Sequence, residues 1–344
     1  FFEMPYPVYD LPEQVEYKQD LIQFNSMCDV FMVGSDQIWR SMFVEGTDFY
    51  TCLDWVEPRK YKMSYGTSFG VGTFEKEGGT RKKFEMYLKR FQNVSVREES
   101  GCSLLKNEFD IDSVCVLDPV MMCECSHYEE MAEKGMKRIP KGTYIGSYML
   151  DPNIEKESAI RYLSEKYCSE TPLVIYDAGE HIDGTCDEIS LKGMPHASVE
   201  EWLAVIRSCD FFITDSFHGV CFALIFQKKF CAIFKNSWRG IERIQNILGK
   251  LGLEDRLLTE FDNEEVESLY LKEIDYERVN KILEKERILS NQWMRKALEE
   301  QKNLKIECST AEEQEKMLKE IYKGRHELYV AKKEAQKNMV RIKK

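Results

Sequence analysis

Short apolar runs of strand length recur along the chain, each closed by a cluster of small polar residues and followed by a stretch with helical spacing. Val30–Val33 runs into Gly34, Ser35, Asp36 and Gln37, and residues 61–65 run into Gly66, Thr67, Ser68, Phe69 and Gly70. Residues 81–91 carry Phe84, Tyr87, Leu88 and Phe91 at positions that share one helical face. A strand at 93–96 follows, with Arg97, Glu98, Glu99, Ser100 and Gly101 directly behind it, then a helix starting at 100–105 and a strand at 113–117 closed by Asp118 and Pro119. Strand, polar loop, helix and strand in this order predict a parallel α/β domain.

Residues 123–142, dense in Glu, Lys and Arg, read as a charged connector, after which the pattern restarts. A strand is expected at 144–149, an amphipathic helix at 154–167 and a strand at 173–176. Ser198, Val199, Glu200 and Glu201 have capping-box spacing and open a helix through Ile206. Next comes CDFFITDSFHGVCFALIF, residues 209–226: a strand at 211–213, the polar turn Thr214, Asp215 and Ser216, then Phe217, His218 and Gly219 leading into a buried helix. A strand at 230–234, a loop holding Arg239, a helix at 241–248 carrying Arg243 and a long charged helix at 274–298 complete the pattern. The expected organisation is two parallel α/β domains, 1–140 and 141–298, and a charged helical tail, 299–344.

Length and composition agree with this: 344 residues are long for one core, and 43% hydrophobic with 12% aromatic residues can fill two. A net charge of −12 argues against a general nucleic-acid binder, which needs a basic face, but leaves room for local anion sites. The 12 cysteines are scattered through apolar runs, and the one close pair, Cys123 and Cys125, lacks a second pair or histidines at zinc spacing. No metal is expected, and free thiols suit a reducing cytoplasm. No stretch has the length of a membrane-spanning helix and none reads as a signal peptide, so a cytoplasmic location is expected. The Lys- and Arg-rich tail leaves open a contact with the inner face of a membrane, a partner surface or a solvated arm.

The candidate chemistry gathers at strand ends. A helix N-terminus points N–H groups and a positive dipole end at whatever lies above it, and His218 sits at such a junction, where a general acid or an anion ligand is useful. Asp215 and Ser216 serve there as helix caps in the simpler reading, with His218 an interior histidine. The Gly34-Ser35-Asp36-Gln37 loop occupies the strand end at which open α/β sheets bind ligands, or is an ordinary strand-to-helix turn. Arg97 reaches either an anion or the neighbouring Glu98 and Glu99 on the surface. Arg239 and Arg243, four apart, form either a phosphate or carboxylate clamp or a solvated helix face.

The motifs GSDQIW (34–39), SYGTSFG (64–70), VREESG (96–101), LDPV (117–120) and TDSFHG (214–219), in this order, resemble the polysaccharide pyruvyl transferase family over about residues 25–298. The resemblance implies a GT-B-like α/β fold, two Rossmann-like domains with parallel sheets facing a cleft. It also implies transfer of a pyruvyl group from phosphoenolpyruvate, with no cofactor, to two hydroxyls of one sugar in a cell-surface polysaccharide or its lipid-linked precursor. His218 is then the acid that protonates the donor's methylene carbon, or a donor ligand. Arg239, Arg243 and Arg97 are anion contacts, and Gly34, Ser35, Gln37, Ser216 and Gly219 line the substrate. Asp36 or Asp215 is the base for the sugar hydroxyl, or structural. Two departures stand out. Some family members contact the donor through an arginine two residues before the histidine, where this chain has Ser216. The family pattern also begins with a strand and an Asn-Tyr-Gly loop well upstream of GSDQ, so the first domain is expected to lack its first strand. A GT-B glycosyltransferase using a sugar nucleotide, and a non-catalytic scaffold of glycan assembly acting through the tail, remain alternatives, and self-association is left open.

Overall fold

The computed structural model describes residues 21–46, 49–176, 191, 193–234 and 240–302. In the first domain β1 (Val30–Val33) and β2 (Tyr61–Ser64) pair in parallel, Val30 opposite Tyr61 and Val33 opposite Ser64. β3 (Ser95–Val96) pairs in parallel with β4 (Val114–Cys115), and bridges from Met63 to Asn93 and from Thr67 to Val96 join the two pairs into the order β1-β2-β3-β4. Helices α1 (Ser41–Gly46), α2 (Gly79–Leu88) and α3 (Glu99–Phe109) belong to this domain. The predicted apolar face of α2 is buried as Phe84, Tyr87 and Leu88. Trp39, fully buried, packs its ring against Phe69, Phe84 and Phe91, which fixes the loop after β1 to the core.

The stretch expected to be a connector is instead a helix, α4 (Cys125–Lys134). Its polar face is solvated, but Ala132 is buried in the core of the second domain, the Tyr128 ring meets Phe222 edge-on and Glu133 pairs with Arg207 at 2.7 Å. Leu117 and Met121, which precede the expected boundary at 140, also pack into that core.

The second sheet holds β5 (Ile145–Met149), β6 (Leu173–Tyr176), β7 (Phe211–Thr214), β8 (Phe230–Ile233) and β9 (Leu257–Leu258), all parallel, in the order β6-β5-β7-β8-β9. β7 and β8 are buried at every position, which is why their sequences are unbroken apolar runs. Phe211 and Ile213 pack with α5 (Ile154–Tyr167) and α9 (Asn263–Leu271) on one face. Phe212 packs on the other with α6 (Val199–Ser208), α7 (Phe217–Ile225) and α8 (Glu242–Leu251). The capping box forms as its spacing predicts, with Glu201 N–H donating to Ser198 Oγ and Ser198 N–H to Glu201 Oε2. Strand order reverses between β5 and β7, and such a switch point leaves a crevice at the strand C-termini.

Helix α10 (Tyr276–Gln301) runs 26 residues and crosses back. Val279 and Leu283 lie in the second core, whereas Ala297, Trp293 and Met294 pack on Tyr61 and Met63 of the first domain. Tyr61 Oη donates to the Ala297 carbonyl at 2.7 Å, and Leu117 N–H to Ser290 Oγ at 3.0 Å. The helix is thus a shared strut, and the end expected for the second domain at 298 falls within it. Among the described residues no helix is long and apolar enough to cross a membrane.

Candidate active site

Beyond β1 the chain turns sharply, with Asp36 at φ 99, a region costly for residues with a Cβ and concentrated at functional sites. The turn is held locally: Gln37 N–H donates to Asp36 Oδ1 at 2.7 Å, and Ser68 N–H to the Asp36 carbonyl at 2.8 Å. Arg97, the first residue after β3, has 1% of its side chain exposed. Nη1 donates to Asp118 Oδ2 at 2.6 Å and to Ser35 Oγ at 3.2 Å, and Nη2 to Asp36 Oδ1 at 2.9 Å. Ser35 Oγ donates in turn to Asp118 Oδ2 at 2.7 Å. The loops after β1, β3 and β4 are therefore tied into one knot around a buried guanidinium. Burial works against the charge of Arg97, but Asp118, Glu98 and Asp36 outweigh it and hold the group above its usual value. Asp36, with 61% of its side chain exposed, lies below the usual carboxylate range because Arg97 overrides the effect of burial. Arg97 thus forms no surface pair with its neighbours. Glu98 turns inward, its Oε1 accepting from Ser68 Oγ, Phe69 N–H and Gly70 N–H, and burial raises its carboxyl.

The second domain supplies the opposing half. Asp215 is buried and accepts from Leu150 N–H at 2.6 Å, Asp151 N–H at 2.9 Å and Lys156 Nζ at 2.6 Å. Three donors and burial make it an anchor of the β5 and β7 ends, so as a base for the sugar hydroxyl it is badly placed. Ser216 caps α7 by accepting from Gly219 N–H at 3.3 Å. Thr214 Oγ1 donates to the Tyr148 carbonyl at 2.7 Å and lies where a Cβ on Gly219 would come within 2.5 Å of it. Ser216 and Gly219 thus build the turn, and α7 starts at Phe217, one residue before His218.

Those two residues face the first domain. The Phe217 ring has the Arg97 guanidinium 4.6 Å and the Arg243 guanidinium 5.4 Å from its centroid, both within cation–π range. His218 Nε2 is 3.9 Å from Asp118 Oδ2, and 39% of the side chain is exposed. Burial pushes the imidazole below its usual value, Asp118 opposing and Arg97 adding to the effect. Arg243, in the first turn of α8, lies 3.9 Å from Asp36 Oδ1 and is pushed down to about 10 by burial and by the like charge of Arg97, so it stays charged at neutral pH. Beside it, Gly240 sits at φ 79, and a Cβ there would fall 1.7 Å from the Gly70 carbonyl oxygen. The loops of the two domains touch backbone to backbone at this point.

Of the residues singled out in the sequence, His218, Arg97, Arg243, Asp36 and Ser35 come together, with Gln37 alongside against Gly70 and Gly34 at the strand end. Asp215, Ser216 and Gly219 support this group from behind. Arg239 lies outside the described residues. Asp118, Phe217 and Glu98 belong to the site and were not singled out. Asp118 follows β4 as Asp36 follows β1, and the same strand-end rule reaches it. Among the described residues no group of three or more His, Cys, Asp or Glu side chains could hold a metal ion.

Two parallel α/β domains with their strand C-termini facing a shared cleft define a GT-B-like protein. Residues 4–233 match the family model described as polysaccharide pyruvyl transferase, and the chain belongs to that family. UDP-GlcNAc 2-epimerase from Methanocaldococcus jannaschii superposes with a TM-score of 0.50 at 11% identity over 80% of each chain. UDP-GlcNAc 2-epimerase from Neisseria meningitidis, bound to UDP-GlcNAc, gives 0.47 at 9% identity over 81% of each chain. The glycotransferase of kitacinnamycin gives 0.47 at 13% identity, over 83% of this chain and 79% of that one. At 11% identity the likeness to the Methanocaldococcus jannaschii enzyme is one of fold alone. No match was found among curated proteins.

Proposed function

We propose that this chain transfers the pyruvyl group of phosphoenolpyruvate to two hydroxyls of one sugar in a cell-surface glycan or its lipid-linked precursor, forming a cyclic ketal and releasing phosphate. The observation that carries the reading is the meeting of Arg243, His218 and the α7 N-terminus with Asp36 and Arg97 across the cleft. A donor with a phosphate and a carboxylate suits charged guanidinium groups and a helix start. His218 delivers a proton to the methylene carbon, which makes C2 electrophilic. One sugar hydroxyl then adds to C2. The second displaces phosphate as the C2–O bond breaks, so of the two hydroxyl protons one replaces that of His218 and one leaves with phosphate. Asp36, ionised and exposed, takes up the proton of the attacking hydroxyl only in passing and hands it on to one of these two acceptors, so it ends ionised as it began. Arg97 holds Asp36 and Asp118 in place.

The test is calorimetric titration of phosphoenolpyruvate and of UDP-sugars into the wild type, His218→Ala and Arg243→Ala, followed by phosphate release with candidate glycan acceptors. Phosphoenolpyruvate binding that weakens in both variants, with acceptor-dependent phosphate release, supports the reading. Binding of a UDP-sugar alone would replace it with a glycosyltransferase.

A further inference from the structure

Helix α8 turns one face to the first domain, with Arg243, Asn246 and Lys250 three and four residues apart along it. Asn246 makes the most specific contact. Its Nδ2 donates to the Arg97 carbonyl at 3.1 Å, and its Oδ1 accepts from the Glu99 N–H at 3.1 Å. Glu99 is the first residue of α3, so its N–H has no partner inside the helix. The residue at the cap position, Glu98, makes no side-chain cap because its carboxylate is committed to Ser68, Phe69 and Gly70. The missing cap comes from the other domain.

We infer that Asn246 is a positioning residue for the anion site: its amide clamps the backbone on both sides of Glu98 and so fixes the directions in which Arg97 and Glu98 project. Arg97 then points at Asp118 and Asp36, and Glu98 at the loop that carries Gly70 to its contact with Gly240. The clamp exists only when the second domain is docked, so the same contact that closes the cleft sets the geometry of Arg97. Lys250, one turn further along, pairs with Glu99 Oε1 at 3.3 Å and Glu286 Oε2 at 3.0 Å without touching the Arg97 carbonyl, and so separates docking in general from this clamp. The role rests on reading the Arg97, Arg243 and His218 group as the donor site; the backbone clamp itself does not.

The experiment uses the full chain with Asn246→Leu, Asn246→Asp and Lys250→Ala, reading amide hydrogen exchange at Glu99 and calorimetric affinity for phosphoenolpyruvate. Removing both amide contacts with Leu speeds exchange at Glu99 by about tenfold and weakens the donor by about five- to tenfold, as loss of one or two net hydrogen bonds implies. Asp keeps the acceptor for Glu99 and loses the donor to Arg97, so exchange stays slow while affinity falls. Lys250→Ala stays within about twofold of the wild type in affinity. Unchanged exchange in the Leu variant overturns the clamp. Faster exchange with unchanged affinity, or an equal loss in Lys250→Ala, overturns the positioning role. A wild type that fails to bind phosphoenolpyruvate sinks the donor reading alone, and the exchange comparison still decides whether Asn246 holds the turn.

Discussion

Binding of the donor should draw a proton onto His218. In the empty site burial keeps the imidazole below its usual value, so it is neutral at pH 7.5. An anionic group arriving about 5 Å away interacts with an imidazolium by about 3 kcal/mol per unit charge at an effective dielectric near 20. A phosphate monoester carries nearly two negative charges at this pH, so the arriving donor favours the charged imidazole. Arg97 and Arg243 screen part of this field, but what remains favours the imidazolium and raises the group above its value in the empty site. The group is then unprotonated before binding and protonated after, so close to one proton is taken up and affinity falls as pH rises through the pKa of the complex. Calorimetry at pH 7.5 in buffers of different ionisation enthalpy reads the uptake directly as the slope of observed enthalpy against buffer enthalpy. His218→Gln should bring the slope to near zero while keeping part of the affinity. Tight binding by the wild type with zero slope, or the same slope in His218→Gln, would refute the reasoning.

Further outcomes follow from single contacts. Asp118→Asn leaves the Arg97 guanidinium, 1% exposed, with Asp36 as its remaining carboxylate, and should lower unfolding free energy by about 3 kcal/mol in urea titrations; a loss below about 1 kcal/mol means that Arg97 re-pairs. Gly240→Ala puts a Cβ 1.7 Å from the Gly70 carbonyl oxygen at a positive φ, so the two loops must part; an unchanged radius of gyration by small-angle scattering and an unchanged melting temperature would count against that contact. On the outer face, hydrogen bonds from Lys166, Tyr162 and Tyr167 hold the Glu267 carboxyl down at about 2. Its contribution to stability is present above the ordinary value of 4.5 and lost as pH falls from there towards 2, and Lys166→Met should move the carboxyl resonance titration back up.

Much of the fold was legible because local and global preferences agree. The expected ranges of α5 and β6 coincide with the observed ones, since an N-cap at Asn153 and an unbroken apolar run mark them without help from distant residues. α4 was misread because its one buried stripe is narrow and flanked by charge on all other sides. α9 went unread, although Asp262 caps it by accepting from Glu265 N–H. In the site, Asp36, Arg97 and His218 were recoverable from the rule that ligands collect at strand C-termini. The fates of Asp118 and Asp215 were not, because each is decided by a partner remote in sequence. Both follow a parallel strand and both are buried, but Asp118 meets Arg97 from the neighbouring β3 end and stands 3.9 Å from His218 Nε2, whereas Asp215 meets Lys156 and the N–H groups of Leu150 and Asp151. No local pattern separates those outcomes.

The divided origin of the site has a thermodynamic consequence. The first domain contributes Arg97 already neutralised by Asp36 and Asp118, while the second contributes Arg243, His218 and the ring of Phe217 that both guanidiniums approach. Docking therefore brings two cations to one ring, and Arg243 is held down at about 10 by burial first and then by the like charge of Arg97. An anion bound between the halves relieves that repulsion and contacts groups from both domains, so it binds the docked arrangement in preference to any separated one. By linkage its binding stabilises docking by the same free energy that docking adds to its affinity. The α8 contacts at Asn246 and Lys250 offset the repulsion while the site is empty. Weakening them should make donor affinity depend more steeply on whatever else holds the domains together, helix α10 first of all.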